Sequence, residues 1–291
     1  MTLKVAILAP GEMGAAVAAR FGERGVSVVT SLAGRSAASA GRAGRAGMTA
    51  VGGDDVLVED VDFFLSICPP GEAVAVARRL APALSRAGHK PVYVDCNAVS
   101  PQTAVEIGGV LAGTGCAYVD GGIIGPPPAA RPSGTGTRVY VCGAAAGEVA
   151  RLSGYGVAFE VLDGPLGAAS ALKMSYGGIT KGVTAIGAAM ALAATRAGSA
   201  AGLRRELELS QPEVLAWLDR QVPRMVPKAW RFVAEMEEVG RFAGDGTPTG
   251  SMYAAIARLY QDIAADASGT GDAEETVGTV EALQASFTAR R

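Results

Sequence analysis

The run from Val5 to Phe21 (VAILAPGEMGAAVAARF) limits what this chain can fold into more than any other stretch. An apolar run of strand length meets a glycine turn and passes at once into a helical pattern, the order that opens a β-α unit of a parallel sheet. Gly11 permits close approach of a ligand to the backbone, and Gly14 lets the helix lie against the strand. The first turn of such a helix leaves N–H groups without partners and carries the positive end of the helix dipole. Pro10, Gly11, Glu12, Met13 and Gly14 are therefore a candidate pyrophosphate cradle. The spacing is that of G-x-G-x-x-G with Ala9 in the first place, and in a chain with 40 glycines it needs support from its surroundings.

That support comes from the next segment. A second strand, Val26–Thr30, follows at the expected distance. An NAD site carries a carboxylate about 20 residues past its glycines, and this chain has Gly34-Arg35-Ser36 there, with no carboxylate between Val26 and Ala40. A guanidinium forks onto a phosphate and a hydroxyl donates to it, whereas a carboxylate repels it. NADP, carrying a phosphate on its adenosine ribose, is favoured over NAD.

The chain has 291 residues, enough for two domains, and its net charge of −2 offers no footprint for nucleic acid. No uninterrupted apolar run reaches the ~18 residues of a membrane span. Cys68, Cys96, Cys116 and Cys142 are far apart and form no Cys-x-x-Cys pair, which reads as buried free thiols in a reducing cytoplasm. His89 is the sole histidine and sits in a polar Gly88–Pro91 loop, so neither a histidine-based metal site nor a Ser-His-Asp triad is expected.

Strand and helix signals alternate from Val61. Val61–Ile67 ends at Cys68-Pro69-Pro70-Gly71 and a helical stretch runs from Glu72 to about Leu80. Pro91–Asp95 ends at Cys96-Asn97, and Gly115–Val119 and Arg138–Cys142 read as shorter strands. The alternation implies a doubly wound parallel sheet of the Rossmann type. Ligands of such sheets lie beyond the carboxyl ends of the strands, at Ala9–Gly14, Gly34–Ser36, Cys68–Pro70 and Asp95–Asn97. The Pro69-Pro70 pair fits a rigid strand exit as well as a cofactor contact.

After Asp163-Gly164-Pro165 helical patterns replace strands, dividing the chain into an NADP-binding domain, 1–163, and an all-helical domain, 164–291. The second opens with a long interdomain helix, Leu166 to about Ala197, on which Ser170, Lys173, Gly177, Thr180, Lys181 and Thr184 form one polar stripe. Glycines at 177, 178, 182 and 187 lower its propensity and point to close packing against another backbone or a ligand. Its apolar surface also exceeds what one small helical domain covers, which implies a homodimer. Further helices are expected from Ser210, where Ser210 and Glu213 have capping-box spacing, after Pro227, near Ser251 and at Asp272–Glu275.

Three motifs together resemble the 3-hydroxyacid dehydrogenase and imine reductase superfamily, which includes 6-phosphogluconate dehydrogenase. The turn through Met13 is similar to its G-x-G-x-M-G. Asp120-Gly121-Gly122-Ile123-Ile124-Gly125 stands where its D-A-P-V-S-G substrate loop belongs, and Gly167 with Lys173 resembles its G-x-x-x-x-x-K-x-x-x-N. The run from Arg231 to Val239 resembles a poorly characterised phosphogluconate-dehydrogenase-like subgroup. The resemblance implies a nicotinamide-dependent oxidoreductase, a small-molecule substrate at Gly121–Ile124, and clefts built from both subunits of a dimer.

Two departures bear on the substrate. Ile124 stands where the family has its loop serine, and Gly177 where it has asparagine, so a small hydroxy acid held by that pair is disfavoured. Pro126-Pro127-Pro128 add to an apolar pocket; Tyr176, Lys181, Lys228 and Arg231 are candidates to replace the lost contacts. Lys173 is the candidate proton donor, an ammonium expected to be desolvated on a glycine-rich apolar face. The resulting reading is NADPH-dependent carbonyl reduction, with imine reduction and a non-catalytic NADP(H)-binding sensor as alternatives.

Overall fold

A computed structural model describes residues 2–129 and 136–268, and the chain divides into two compact units, Met1–Met174 and Ser175–Arg291. The first contains β1 (Lys4–Leu8), α1 (Glu12–Gly22), β2 (Ser27–Ser31), α2 (Ala37–Arg45), β3 (Thr49–Val51), α3 (Gly53–Val58), β4 (Phe63–Ser66), α4 (Ala73–Arg86) and β5 (Val92–Asp95). It continues through α5 (Pro101–Leu111), β6 (Tyr118–Ile124), β7 (Arg138–Cys142), α6 (Ala146–Val149), β8 (Ala158–Val161) and the start of α7 (Ala168–Arg196). One eight-stranded sheet has the order β3-β2-β1-β4-β5-β6-β7-β8. The chain runs outward from β1 in both directions, so the order reverses between β1 and β4, as in a doubly wound dinucleotide fold.

Apolar residues are buried on both faces. Val5, Ile7, Val28, Phe63, Leu65 and Val94 pack with α1, while Ala6, Leu8, Val29, Phe64 and Tyr93 pack with α4 and α5. That is why these strands read as continuous apolar runs and not as alternating ones. The expected all-parallel sheet is corrected at one edge: β7 pairs antiparallel to β6, and β8 runs parallel to β7. A parallel return from β6 needs a crossover helix; the chain between Ile124 and Arg138 is short, and β6–β7 takes the antiparallel register that such a link allows.

Several boundaries also move. The helix expected to end near Leu80 runs to Arg86 with Pro82 inside it. α5 was not expected; Ser100 caps it by accepting from the Thr103 N–H at 3.2 Å, and Pro101 supplies a first-turn φ at no hydrogen-bond cost. Asp120–Ile124, expected as a loop, is the body of β6. Its neighbours explain this: Gly121 pairs with Val141 and Gly122 with Tyr140 in the antiparallel ladder.

The second unit contains the rest of α7, α8 (Ala200–Ser210), α9 (Pro212–Met225), α10 (Ala229–Ala243) and α11 (Pro248–Ser268). The capping box at Ser210 is not formed: Ser210 closes α8, its hydroxyl donating to Glu206 O at 2.8 Å, and Gln211 precedes α9 without a side-chain cap. The helix start expected at Asp272–Glu275 lies outside the described residues. Two of the α7 glycines pack closely against side chains and not against another backbone. A methyl at Gly187 would stand 2.3 Å from Leu218 Cδ2 of α9, and one at Gly178 2.9 Å from Tyr253 Oη of α11. Gly177 differs, meeting only Lys181 Nζ at 3.8 Å. By length and composition α7 is one helix that could cross a membrane, yet 44% of its most apolar window is buried inside the protein.

Candidate active site

The carboxyl ends of β2, β1, β4 and β5 are neighbours in the sheet, so the four turns that follow them lie along one edge. At β1 the glycines have separate tasks. A methyl on Gly14 would stand 2.2 Å from Ala9 O, so only glycine lets α1 start this close to the strand. A methyl on Gly11 would meet nothing within 4 Å, and Gly11, the N-cap residue of α1, supplies no side-chain cap. Open space in front of the helix N-terminus fits a pyrophosphate. Pro10 is buried, Glu12 is exposed on the first turn, and Met13 packs against the core.

Beyond β2, Gly34 has φ +67°, which frees the chain to turn sharply, and Ser36 caps α2 by accepting from Ser39 N at 3.3 Å. Arg35 is half-buried. At β4 and β5 a polar knot fixes the turns: Cys68 N donates to Asn97 Oδ1 at 2.6 Å, and Asn97 Nδ2 donates to Ser66 Oγ at 3.0 Å and to Asp95 Oδ1. Asn97 thus holds two neighbouring turns together. Burial, and after it the Asp95 carboxylate, push the Cys68 thiol up to about 12; Arg35 acts on the same thiol in the opposite sense, so its charge reaches across to the β4 turn. Pro69 is exposed and Pro70 opens a 3-10 turn, Pro70–Glu72.

Lys173 is placed by β6. A methyl at Gly122 would lie 2.8 Å from Ala169 O and 3.0 Å from Lys173 Cβ, so the first turns of α7 rest directly on this strand. Gly121 serves the other side, where a methyl would stand 2.9 Å from Asp95 O. Asp120 anchors the same helix: its carboxylate is fully buried and accepts from Ser170 N at 3.0 Å, from Ser170 Oγ at 2.5 Å and from the Cys142 thiol at 3.3 Å. A carboxylate on the N-terminal turn also complements the helix dipole. Of the four candidate substrate residues here, Ile123 lies in the core, 6% exposed, while Ile124 ends the strand half-buried. Gly121 and Gly122 are packing positions.

The other substrate candidates belong to the helical unit. Lys181, a candidate substrate contact, is held by neighbours within this unit. It forms an ion pair with Glu235, each side chain 16% exposed, and lies 4.8 Å from the Phe232 ring centre. Tyr260 Oη donates to Lys181 O at 2.6 Å, and Phe232 and Tyr260 pack edge to face at 5.3 Å. Tyr176 is exposed, Gly177 buried, Lys228 exposed at the start of α10, and Arg231 lies 6.0 Å from the Trp230 ring centre. Among the described residues no group of three His, Cys, Asp or Glu can hold a metal ion. All four cysteines are free thiols, Cys96 and Cys142 buried, and His89 is exposed.

Sequence reasoning missed two residues of this edge. Arg42, read only as part of a basic segment, donates to Pro10 O; nothing in a single sequence ties residue 42 to residue 10. Asp120 is visible in the sequence only as part of a motif, and its 50-residue reach to Ser170 has no local signal.

The carboxyl edge of a doubly wound sheet, with a glycine N-cap opening the helix at its switch point, defines a dinucleotide-binding protein. The chain belongs to the family of the NAD binding domain of 6-phosphogluconate dehydrogenase, whose model matches residues 4–153. Residues 194–263 match a domain of unknown function, DUF1932. No curated protein sequence matches the chain. Among solved structures it is similar to the conserved protein MTH1747, described as of unknown function with structural similarity to 3-hydroxyacid dehydrogenases. Identity is 30% and TM-score 0.66, over 93% of this chain and 100% of that one. A conserved hypothetical protein from Sinorhizobium meliloti 1021 matches at 25% identity and TM-score 0.67, over 98% and 97%. The fold is shared with Mycobacterium tuberculosis 3-hydroxyisobutyrate dehydrogenase, at 20% identity and TM-score 0.67 over 98% and 99%. A Streptomyces aurantiacus imine reductase shares it at 18% identity and TM-score 0.55 over 97% and 99%.

Proposed function

We propose that this protein is an NADPH-dependent reductase of ketones or aldehydes, with Lys173 as the proton donor, acting as a homodimer in a reducing cytoplasm. The observation that carries the reading is the seating of Lys173 on β6 at Gly122, in the strand that continues the dinucleotide edge past β5. Selectivity for the phosphorylated cofactor is supported by Arg35 and Ser36 at the β2 turn and by the absence of any carboxylate from Val26 through Gly53.

The bound nicotinamide supplies the two electrons, as hydride, to the substrate carbon. The chain supplies the rest. The α1 N-terminus binds the pyrophosphate, and Asn97 holds the β4 and β5 turns at the nicotinamide end. Lys173 Nζ stabilises negative charge as it develops on the carbonyl oxygen and gives that oxygen a proton, leaving an alcohol. The carbonyl is preferred over an imine on electrostatic grounds. An imine is reduced as its cation, and a cation ~4 Å from an ammonium is disfavoured by about 4 kcal/mol at an effective dielectric of 20.

The dimer rests on the solvent face of α7. Tyr176, Ile179, Val183, Ile186 and Met190 recur at helical spacing and are 49%, 67%, 42%, 54% and 56% exposed. A continuous apolar stripe of this kind is what a second copy covers in a symmetric helix pair.

Two panels with NADPH, carbonyl compounds and cyclic imines, test the chemistry. Turnover of carbonyls is expected, with Lys173→Ala lowering kcat about 10²–10⁴-fold while NADPH still binds. Efficient imine reduction without carbonyl turnover, full activity in Lys173→Ala, or no turnover at all despite NADPH binding would each overturn the reading, the last in favour of a sensor.

A further inference from the structure

We propose that Arg42 is a second phosphate-selecting cation, acting with Arg35 and Ser39 on the monoester phosphate of the adenosine ribose; this rests on the NADP reading above. Arg42 projects from α2 back to the β1 turn. Its Nε donates to Pro10 O at 3.2 Å and one terminal nitrogen donates to Ser39 Oγ at 2.9 Å. The side chain is half-buried, and so pinned between two turns that border the same edge of the sheet.

The donor count shows what this knot lacks. A guanidinium has five N–H donors, and among the described residues two are used here. Ser39 Oγ accepts from Arg42 and also from Ser36 Oγ at 3.3 Å, so its own proton is left to donate elsewhere. Arg35 adds a second guanidinium on the turn immediately before Ser36. Arg42 and the Ser39 hydroxyl meet beside the β1 turn, Arg35 stands one residue before Ser36, and the segment from Val26 to Gly53 carries no acid. An oxygen-rich dianion supplies the acceptors that the knot does not contain, and a phosphate presents them in the forked geometry that guanidinium donors match. A purely structural arginine holding Pro10 O would serve both nucleotides equally; one that also faces the phosphate distinguishes them.

The test uses adenosine 2′,5′-bisphosphate and adenosine 5′-monophosphate, titrated calorimetrically against the full chain. Wild type is expected to prefer the bisphosphate. Arg42→Gln keeps a donor for Pro10 O and removes the charge; it should weaken the bisphosphate about tenfold and the monophosphate by less than about twofold. Arg42→Lys should recover part of the loss. Ser39→Ala, which leaves the bond from Arg42 to Pro10 untouched, should weaken the bisphosphate alone by about two- to tenfold. Equal losses for both nucleotides in Arg42→Gln, or none, overturn the role of Arg42 while a preference abolished by Arg35→Ala keeps the NADP reading standing. A wild type that binds the two nucleotides equally overturns both.

Discussion

Replacing Gly122 with alanine separates the catalytic placement of Lys173 from the binding of the nucleotide. The new methyl would stand 2.8 Å from Ala169 O and 3.0 Å from Lys173 Cβ, against the ~3.5–4.0 Å of an unstrained contact between carbons. The first turn of α7 must therefore withdraw from β6 by roughly half an ångström to one ångström. Overpacking of this kind destabilises by about 1–3 kcal/mol, and at about 2–4 °C per kcal/mol the melting temperature should fall by roughly 2–12 °C. Turnover should suffer more than stability: a misplacement of about 1 Å costs on the order of 10²-fold, so kcat should fall about 10- to 100-fold. Nucleotide affinity should stay within about twofold, because the cradle at β1 and β2 does not involve this contact. Gly109→Ala in α5, where a methyl meets nothing within 4 Å, is the matched control and should leave both readouts unchanged or raise the melting temperature slightly. A Gly122→Ala protein that melts lower yet turns over at the wild-type rate would refute the claim that this strand sets the proton donor.

The apolar stripe of α7 predicts a dimer at micromolar concentration by sedimentation. Ile186→Glu, at an exposed position, should raise the dissociation constant at least ~30-fold by leaving a charge unpaired in the interface, without lowering monomer stability, and a monomeric active wild type would exclude the dimer. Stability should also fall on the alkaline side. Burial raises Cys68 to about 12 and holds Cys96, Cys116 and Cys142 above the ordinary thiol value as well. The unfolded thiols lose protons from about pH 8.5 while the folded ones keep theirs, so proton release favours unfolding and stability declines from about pH 8.5 towards 12. Denaturant midpoints at pH 7, 9 and 11 should fall in that order, less steeply in Cys68→Ala, and a flat series would contradict it.

The parts of the fold whose signals are local are legible along the chain. The β1 run, the Ala9–Gly14 turn and α1 follow from adjacent residues, and the steric demand on Gly14 is met within the same unit. The alternation of strands and helices carried the doubly wound order, and the apolar run without proline carried α7. Tertiary structure decided what depends on distant residues. Whether Asp120–Ile124 is loop or strand is settled by hydrogen bonding to β7. Lys181 lies on the polar stripe of α7, and its pairing with Glu235, 54 residues away, has no local signal. Asp120 reaches Ser170 and Arg42 reaches Pro10 in the same way, across separations at which a chain's local propensities carry no information about which polar groups will meet. Burial makes those meetings obligatory, since a buried donor or acceptor without a partner is destabilising, but only the packed sheet and helices decide which partner each one finds.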